Sequence, residues 1–212
     1  MDYLESIGFE VVRIAPQKDG SVKFTDIADA ITPDTCLVSV MHVNNETGAV
    51  YDLKRAFDLV KQKCPSALTH CDAVQGFLKI PFAAKTLGAD LISVSAHKVH
   101  GPKGCGALYI SPRLKSFPPL LIGGGQEGNF RSGTEAMPAI MGFGAACEAG
   151  RVTFKDDIAR EKELLQGLVE KLDAIDGVVI NGAHQAPHIL SLSVPGIPTQ
   201  NTINILQDAG IC

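Results

Sequence analysis

Apolar residues in this chain fall in short runs divided by glycine, proline and polar breakers, and the runs alternate between a two-residue and a 3.6-residue period. Leu91-Ile92-Ser93-Val94-Ser95-Ala96 has four apolar positions in six and no charge. It predicts a strand buried on both faces that runs out into His97, Lys98 and the loop Gly101-Pro102-Lys103-Gly104. Phe9 to Ile14, Cys36 to Val43, Ala67 to Asp72 and Ala107 to Ile110 read as further strands. Between them, Leu4 and Ile7 share a helical face that stops at Gly8, and Thr25 is placed to cap a short helix through Ile31. Asp52 is placed to cap a helix with Leu53, Phe57 and Val60 inward, closed by Pro65, and a short helical piece ends at Gly88.

The second half reads differently. Gly123 to Thr134 is glycine-rich and too long for a plain connector, and Thr134 can cap the helix that follows. A second helix, from about Phe154 to Ile175, aligns Ile158, Leu165, Leu168, Leu172 and Ile175 and stops at Gly177. Val178 to Ile180 and the alternating Leu190, Leu192 and Val194 predict strands, and a helix around Thr202 to Ala209 ends at Gly210. Strands alternating with helices at this spacing predict an α/β fold with a mostly parallel sheet covered on both faces. Ligands of such sheets bind beyond the carboxyl ends of the strands. Asn44-Asn45, Asp72 with Gln75, and Ser95-His97-Lys98 all fall at those ends.

Composition narrows the function classes. With 45% hydrophobic and 20% charged residues and a net charge of -4, the chain has material for a full core and no basic run to bind nucleic acid or anionic lipid. The six cysteines (36, 64, 71, 105, 147 and 212) form no C-x-x-C pair, and no signal-peptide or membrane-spanning pattern occurs. A reducing, cytoplasmic setting is the expectation.

A lysine where a buried strand meets a glycine-rich loop is expected to be poorly hydrated, which lowers an amine pKa toward the nucleophilic range. An amine, a carboxylate at the end of an apolar strand and phosphate-sized anion donors together match the needs of pyridoxal phosphate. Lys98 supplies the amine, Asp72 the carboxylate for the pyridine nitrogen, and Ser95 and His97 the donors.

The runs Met41 to Gly48, His70 to Gln75, Ser95 to Lys98 with Gly101 to Gly104, Gly123 to Glu127 and Arg131 to Thr134 resemble the cysteine desulfurases. These are a class V branch of the fold-type I pyridoxal-phosphate enzymes. The similarity keeps order and spacing over nearly the whole chain. It implies a fold-type I large domain, with a mostly parallel, seven-stranded-type sheet in three α/β/α layers, over residues 1–149. Residues 150–212 would begin a small α+β C-terminal domain. It also implies that Lys98 is the Schiff-base lysine and proton shuttle, Asp72 the partner of the pyridine nitrogen, and Gln75 a donor to the phenolic oxygen. Asn45 would lie by the ring and the substrate carboxylate, Ser95 and His97 on the phosphate, and Thr134 on the phosphate of a partner subunit in a homodimer. The activity implied is conversion of L-cysteine to L-alanine, with sulfur passed as an enzyme persulfide to acceptors such as iron–sulfur scaffolds or thiolation pathways.

The family's threonine-containing phosphate loop, ring-stacking histidine, mobile cysteine loop and substrate-carboxylate arginine have no counterparts here, so both ends read as truncated and the chain as inactive by itself. Cys212 reads as a strand residue. A class V aminotransferase would use Lys98, Asp72 and Gln75 equally well. Gly123-x-Gly125-x-x-Gly128 fits the letters of a dinucleotide fingerprint without its strand and helix. A non-catalytic scaffold is a further reading, and the scattered His42, His70, Cys71, His97 and Cys105 lack metal-ligand spacing.

Overall fold

The computed structural model describes residues 1–182 and 185–211. Two short helices, α1 (Asp2–Ser6) and α2 (Phe24–Ala30), precede a sheet of four strands: β1 (Leu37–Met41), β2 (Leu68–Asp72), β3 (Leu91–Ser95) and β4 (Gly106–Ile110). The strands lie in that order, β1, β2 and β3 parallel and β4 antiparallel to β3. This mixed, mostly parallel sheet is the α/β class that the alternation of strands and helices predicts. Between the first strands, α3 (Leu53–Lys63) begins where Asp52 Oδ1 accepts the Arg55 amide at 3.1 Å, as expected of its cap. The one-turn α4 (Ala84–Leu87) ends at Gly88, whose φ of +74° a side chain would resist.

Leu53 and Phe57 of α3 and Leu87 of α4 pack against Cys71 and Ile92, with Val40 and Val94 beside them. Side chains of this size each contribute roughly 1.5–3 kcal/mol when buried, so this layer holds the sheet together. Register partners share a face of a sheet. Ser39, His70, Asp72, Ser93 and Ser95 therefore line the opposite face, half-buried except for the exposed Ser39. The expectation that β3 is buried on both faces is met only at Leu91 and Ile92.

At the amino end of the sheet, the fully buried Asp90 ties three strands together. Its Oδ2 accepts from the Thr69 amide (2.9 Å), the Thr69 hydroxyl (3.0 Å) and Lys61 Nζ (2.9 Å), and Arg113 donates to both of its oxygens. Burial alone would raise this carboxyl, but the hydrogen bonds from Arg113, Lys61 and Thr69 outweigh it and lower its pKa to about 2.

Several elements differ from expectation. Phe9 to Ile14 forms no strand: Arg13 folds the segment back onto Asp2 (2.6 Å) and Glu5 (2.8 Å), and among the described residues no neighbouring strand pairs with it. Thr25 does not cap α2, whose N-cap is Lys23. The two helices expected after residue 134 are one continuous helix, α5 (Met137–Asp173). A hairpin of β5 (Val179–Asn181) and β6 (Ser191–Ser193) and a final α6 (Thr199–Asp208) complete the chain. Cys212, read above as a strand residue, lies outside the described residues. Among the described residues no helix is long and apolar enough to cross a membrane.

Two predictions follow from this packing. Asp90→Asn should cost about 2 kcal/mol at neutral pH by urea unfolding, because it strips a buried carboxylate from its cations. A carboxyl with a depressed folded-state pKa stabilises most above its ordinary value of 3.8, so the gap between parent and variant should close as pH falls from there toward about 2. Gly76→Ala should also lower the melting temperature, since an added Cβ would collide with Nδ1 of the buried His42.

Candidate functional site

The turns that leave β1, β2 and β3 are stitched to one another beyond the strands. The His42 amide donates to Asp72 O (2.8 Å) and the Ala73 amide to Ser93 O (2.9 Å), so all three turns open at the same carboxyl edge. After β1, the Asn44 carboxamide oxygen accepts from the amides of Glu46 and Thr47 (both 2.9 Å) and from the Thr47 hydroxyl (3.1 Å). This side-chain-closed turn leaves Asn45 exposed at its tip. Asn44 is thus the residue that shapes the turn, a role that Asx-turn chemistry in Asn44-Asn45 could have signalled.

After β2, the half-buried Asp72 accepts the Val74 amide at Oδ1 (3.0 Å), while Oδ2 has no partner among the described residues. The Gln75 carboxamide, also half-buried, likewise makes no hydrogen bond among them. The next turn presses Gly76 against His42, a buried imidazole whose Nδ1 is unpartnered and whose pKa burial lowers. His42 meets the Phe82 ring edge-on at 5.0 Å, a core packing role.

After β3, the chain makes a one-turn 3-10 helix, Ala96–Val99. Ala96 and Val99 point inward onto Phe143 of α5, and this leaves His97 and Lys98 outward. Ser95 Oγ and His97 Nδ1 are 2.7 Å apart. Lys98 is exposed, with no ion pair or hydrogen bond among the described residues. The desolvated lysine expected from the sequence is therefore not found in this chain, because the helical turn that buries its neighbours directs Lys98 away from them. The loop then folds back: Gly101 donates to Ala96 O (2.9 Å) and the Ala96 amide to Cys105 O (3.0 Å). A methyl at Gly101 would sit 3.0 Å from the Ala96 side chain, and one at Gly142 of α5 would sit 2.7 Å from Pro102, so both glycines permit this close approach.

Thr134 stands apart from these three turns. It is exposed and does not cap α5, whose N-cap is Ala136. Its loop is held by its own bonds, Ser132 to Leu121 O (3.2 Å) and Gly133 to Gln126 Oε1 (3.1 Å).

Two neighbours define the chemistry further. Burial, with the charge of Asp72 adding to it, pushes the Cys71 thiol up to about 12, so it is no thiolate at neutral pH. His70 bridges Ser39 and Ser93, each at 2.8 Å. Sequence reasoning assigned it no role, although polar residues at alternate positions (His70 and Asp72, Ser93 and Ser95) mark one face of the strands.

Together the edge offers an amine, a carboxylate oxygen and a carboxamide that have no partners among the described residues, and a hydroxyl–imidazole pair. This donor set suits pyridoxal phosphate, which needs an amine, an acid for its ring nitrogen and donors for its phosphate.

The aminotransferase class-V profile matches residues 3–212. The chain is 37% identical over 219 residues to cysteine desulfurase IscS of Anaeromyxobacter dehalogenans, covering 100% of this chain and 53% of that protein. It is 37% identical over 208 residues to the mitochondrial cysteine desulfurase of Saccharomyces cerevisiae, covering 96% of this chain and 41% of that one. A solved NifS-like protein superposes with a TM-score of 0.94 at 37% identity, covering 99% of this chain and 57% of its own. The chain thus spans about half the length of the curated relatives it matches. By the profile match and these relatives, it belongs to the aminotransferase class-V family of pyridoxal-phosphate enzymes.

Proposed function

We propose that this chain is the cofactor-holding half of a cysteine desulfurase. The observation that supports the reading most is the locked register that brings Asp72, Gln75, Ser95, His97 and Lys98 to one sheet edge. Bound pyridoxal phosphate supplies an electron sink for bond breaking at an amino acid. Lys98 holds the cofactor through its amine and moves the proton at the substrate's α carbon. Asp72, through its free Oδ2, pairs with the protonated ring nitrogen. Gln75 donates to the phenolic oxygen, Ser95 and His97 hold the phosphate, and Asn45 orients the substrate carboxylate. Thr134, displayed on its outlying loop, serves the phosphate of a second subunit in a homodimer. Residues 1–149 act as the large, cofactor-binding domain and 150–212 as the start of the small one.

The overall reaction is L-cysteine plus an enzyme thiol giving L-alanine plus an enzyme persulfide, so the carbon–sulfur bond breaks as a sulfur–sulfur bond forms. The persulfide sulfur then serves acceptors such as iron–sulfur scaffolds in the cytoplasm. Among the described cysteines, Cys71 is held protonated and Cys105 packs against the buried Ala96 and Val99, so neither is placed as the thiol. On this reading the chain by itself moves the α proton of cysteine and releases no alanine.

The purified chain, incubated with pyridoxal phosphate and L-cysteine in deuterated water, should exchange the α hydrogen of cysteine without releasing alanine. Lys98→Ala should slow that exchange at least about a hundredfold, the range removed with a general base. Alanine release would refute the reading that the isolated chain does not desulfurate cysteine. Amino transfer from cysteine to an added keto acid would instead favour a class V aminotransferase.

A further inference from the structure

We propose that His70 is a positioning residue for Asp72, acting through a hydroxyl–imidazole–hydroxyl ladder with Ser39 and Ser93. The inference rests on the functional reading above, in which Asp72 faces the cofactor ring. His70 Nδ1 and Ser39 Oγ are 2.8 Å apart, as are His70 Nε2 and Ser93 Oγ. Ser39 is the register partner of His70, whereas Ser93 is the register partner of Asp72. The imidazole therefore reaches diagonally across β2 and β3 and ends beside the residue that pairs with Asp72.

A neutral imidazole offers one donor and one acceptor, and a serine hydroxyl can be either, so both links are satisfied whichever tautomer is present. The ladder closes in one register only. A one-residue slip of β1 would present Val38 or Val40 to the imidazole and would turn Ser39 to the other face. Three parallel strands carry slanted, evenly spaced backbone bonds that specify stagger weakly, and here a side-chain bridge fixes it one step below the site.

Burial lowers the His70 pKa more than the charge of Asp72 raises it, and Asp72 is the charged group acting on it among the described residues. The imidazole is thus uncharged at neutral pH and leaves the Asp72 charge for the ring nitrogen. Cys71, between the two, faces the helices and plays no part.

The test uses this chain with pyridoxal phosphate as the probe. Its readouts are the dissociation constant and the pH profile of the bound cofactor's visible absorbance, together with the melting temperature without cofactor. Ser93→Ala, which loses one well-made polar link, should weaken binding about tenfold, His70→Phe, which loses both, should weaken it at least as much, and each should shift the absorbance profile. Ser93→Thr, which keeps the hydroxyl, should bind like the parent. Thr69→Ala, on the opposite face, should lower the melting temperature without moving the profile. By proton NMR, Asp72→Asn should lower the His70 pKa. Normal uptake with an unchanged profile in His70→Phe and Ser93→Ala would overturn the positioning role alone. Failure of the parent chain to bind the cofactor at Lys98 would overturn the functional reading, and the inference with it.

Discussion

The parallel pairing of β1, β2 and β3 is the constraint on which the rest of this molecule depends. Register pairs Met41 with Asp72 and Asp72 with Ser93, and the backbone bonds from His42 and Ala73 extend the pairing past the strand ends. Residues from three distant parts of the sequence can then act at one edge without long loops to position them. The helices matter because they hold this pairing from one face, through Leu53, Phe57 and Leu87 on Cys71 and Ile92. Asp90 anchors the other end by joining β2 and the start of β3 to Lys61 of α3 and to Arg113 beyond β4. A sheet pinned at its amino end by ions and along its face by apolar contacts leaves its carboxyl edge free for chemistry.

Much of this was legible in the sequence where local chemistry and packing agree. Apolar runs between breakers located β2 and β3, and an aspartate before an amphipathic run located α3, because both signals survive in the folded chain. Phe9 to Ile14 is apolar and β-branched like a strand, yet such a run forms no ladder without a partner, and the charges of Asp2 and Glu5 draw Arg13 elsewhere. The expected helix break between residues 134 and 154 failed for a similar reason. Interior glycines cost a helix only about 1 kcal/mol each, and α5 recovers that through packing at Phe143 and Gly142.

The site was legible by residue type and less so by environment. Asp72, Ser95 and Lys98 stand at the expected edge, but the solvation of Lys98 depends on what covers the turn, which spacing cannot report. Thr134 could be named from its motif and not placed, since its loop is held by internal bonds rather than by the sheet. The residues behind the site were least visible. The Ser39–His70–Ser93 ladder depends on cross-strand geometry that exists only after the strands pair.

Borohydride reduction of the purified chain after incubation with pyridoxal phosphate, followed by digestion and peptide mass analysis, tests the central claim most directly. A cofactor-holding edge predicts one dominant modified peptide, carrying the label on Lys98, and less label in an Asp72→Ala variant. Label that is absent, or spread evenly over the surface lysines, would contradict it.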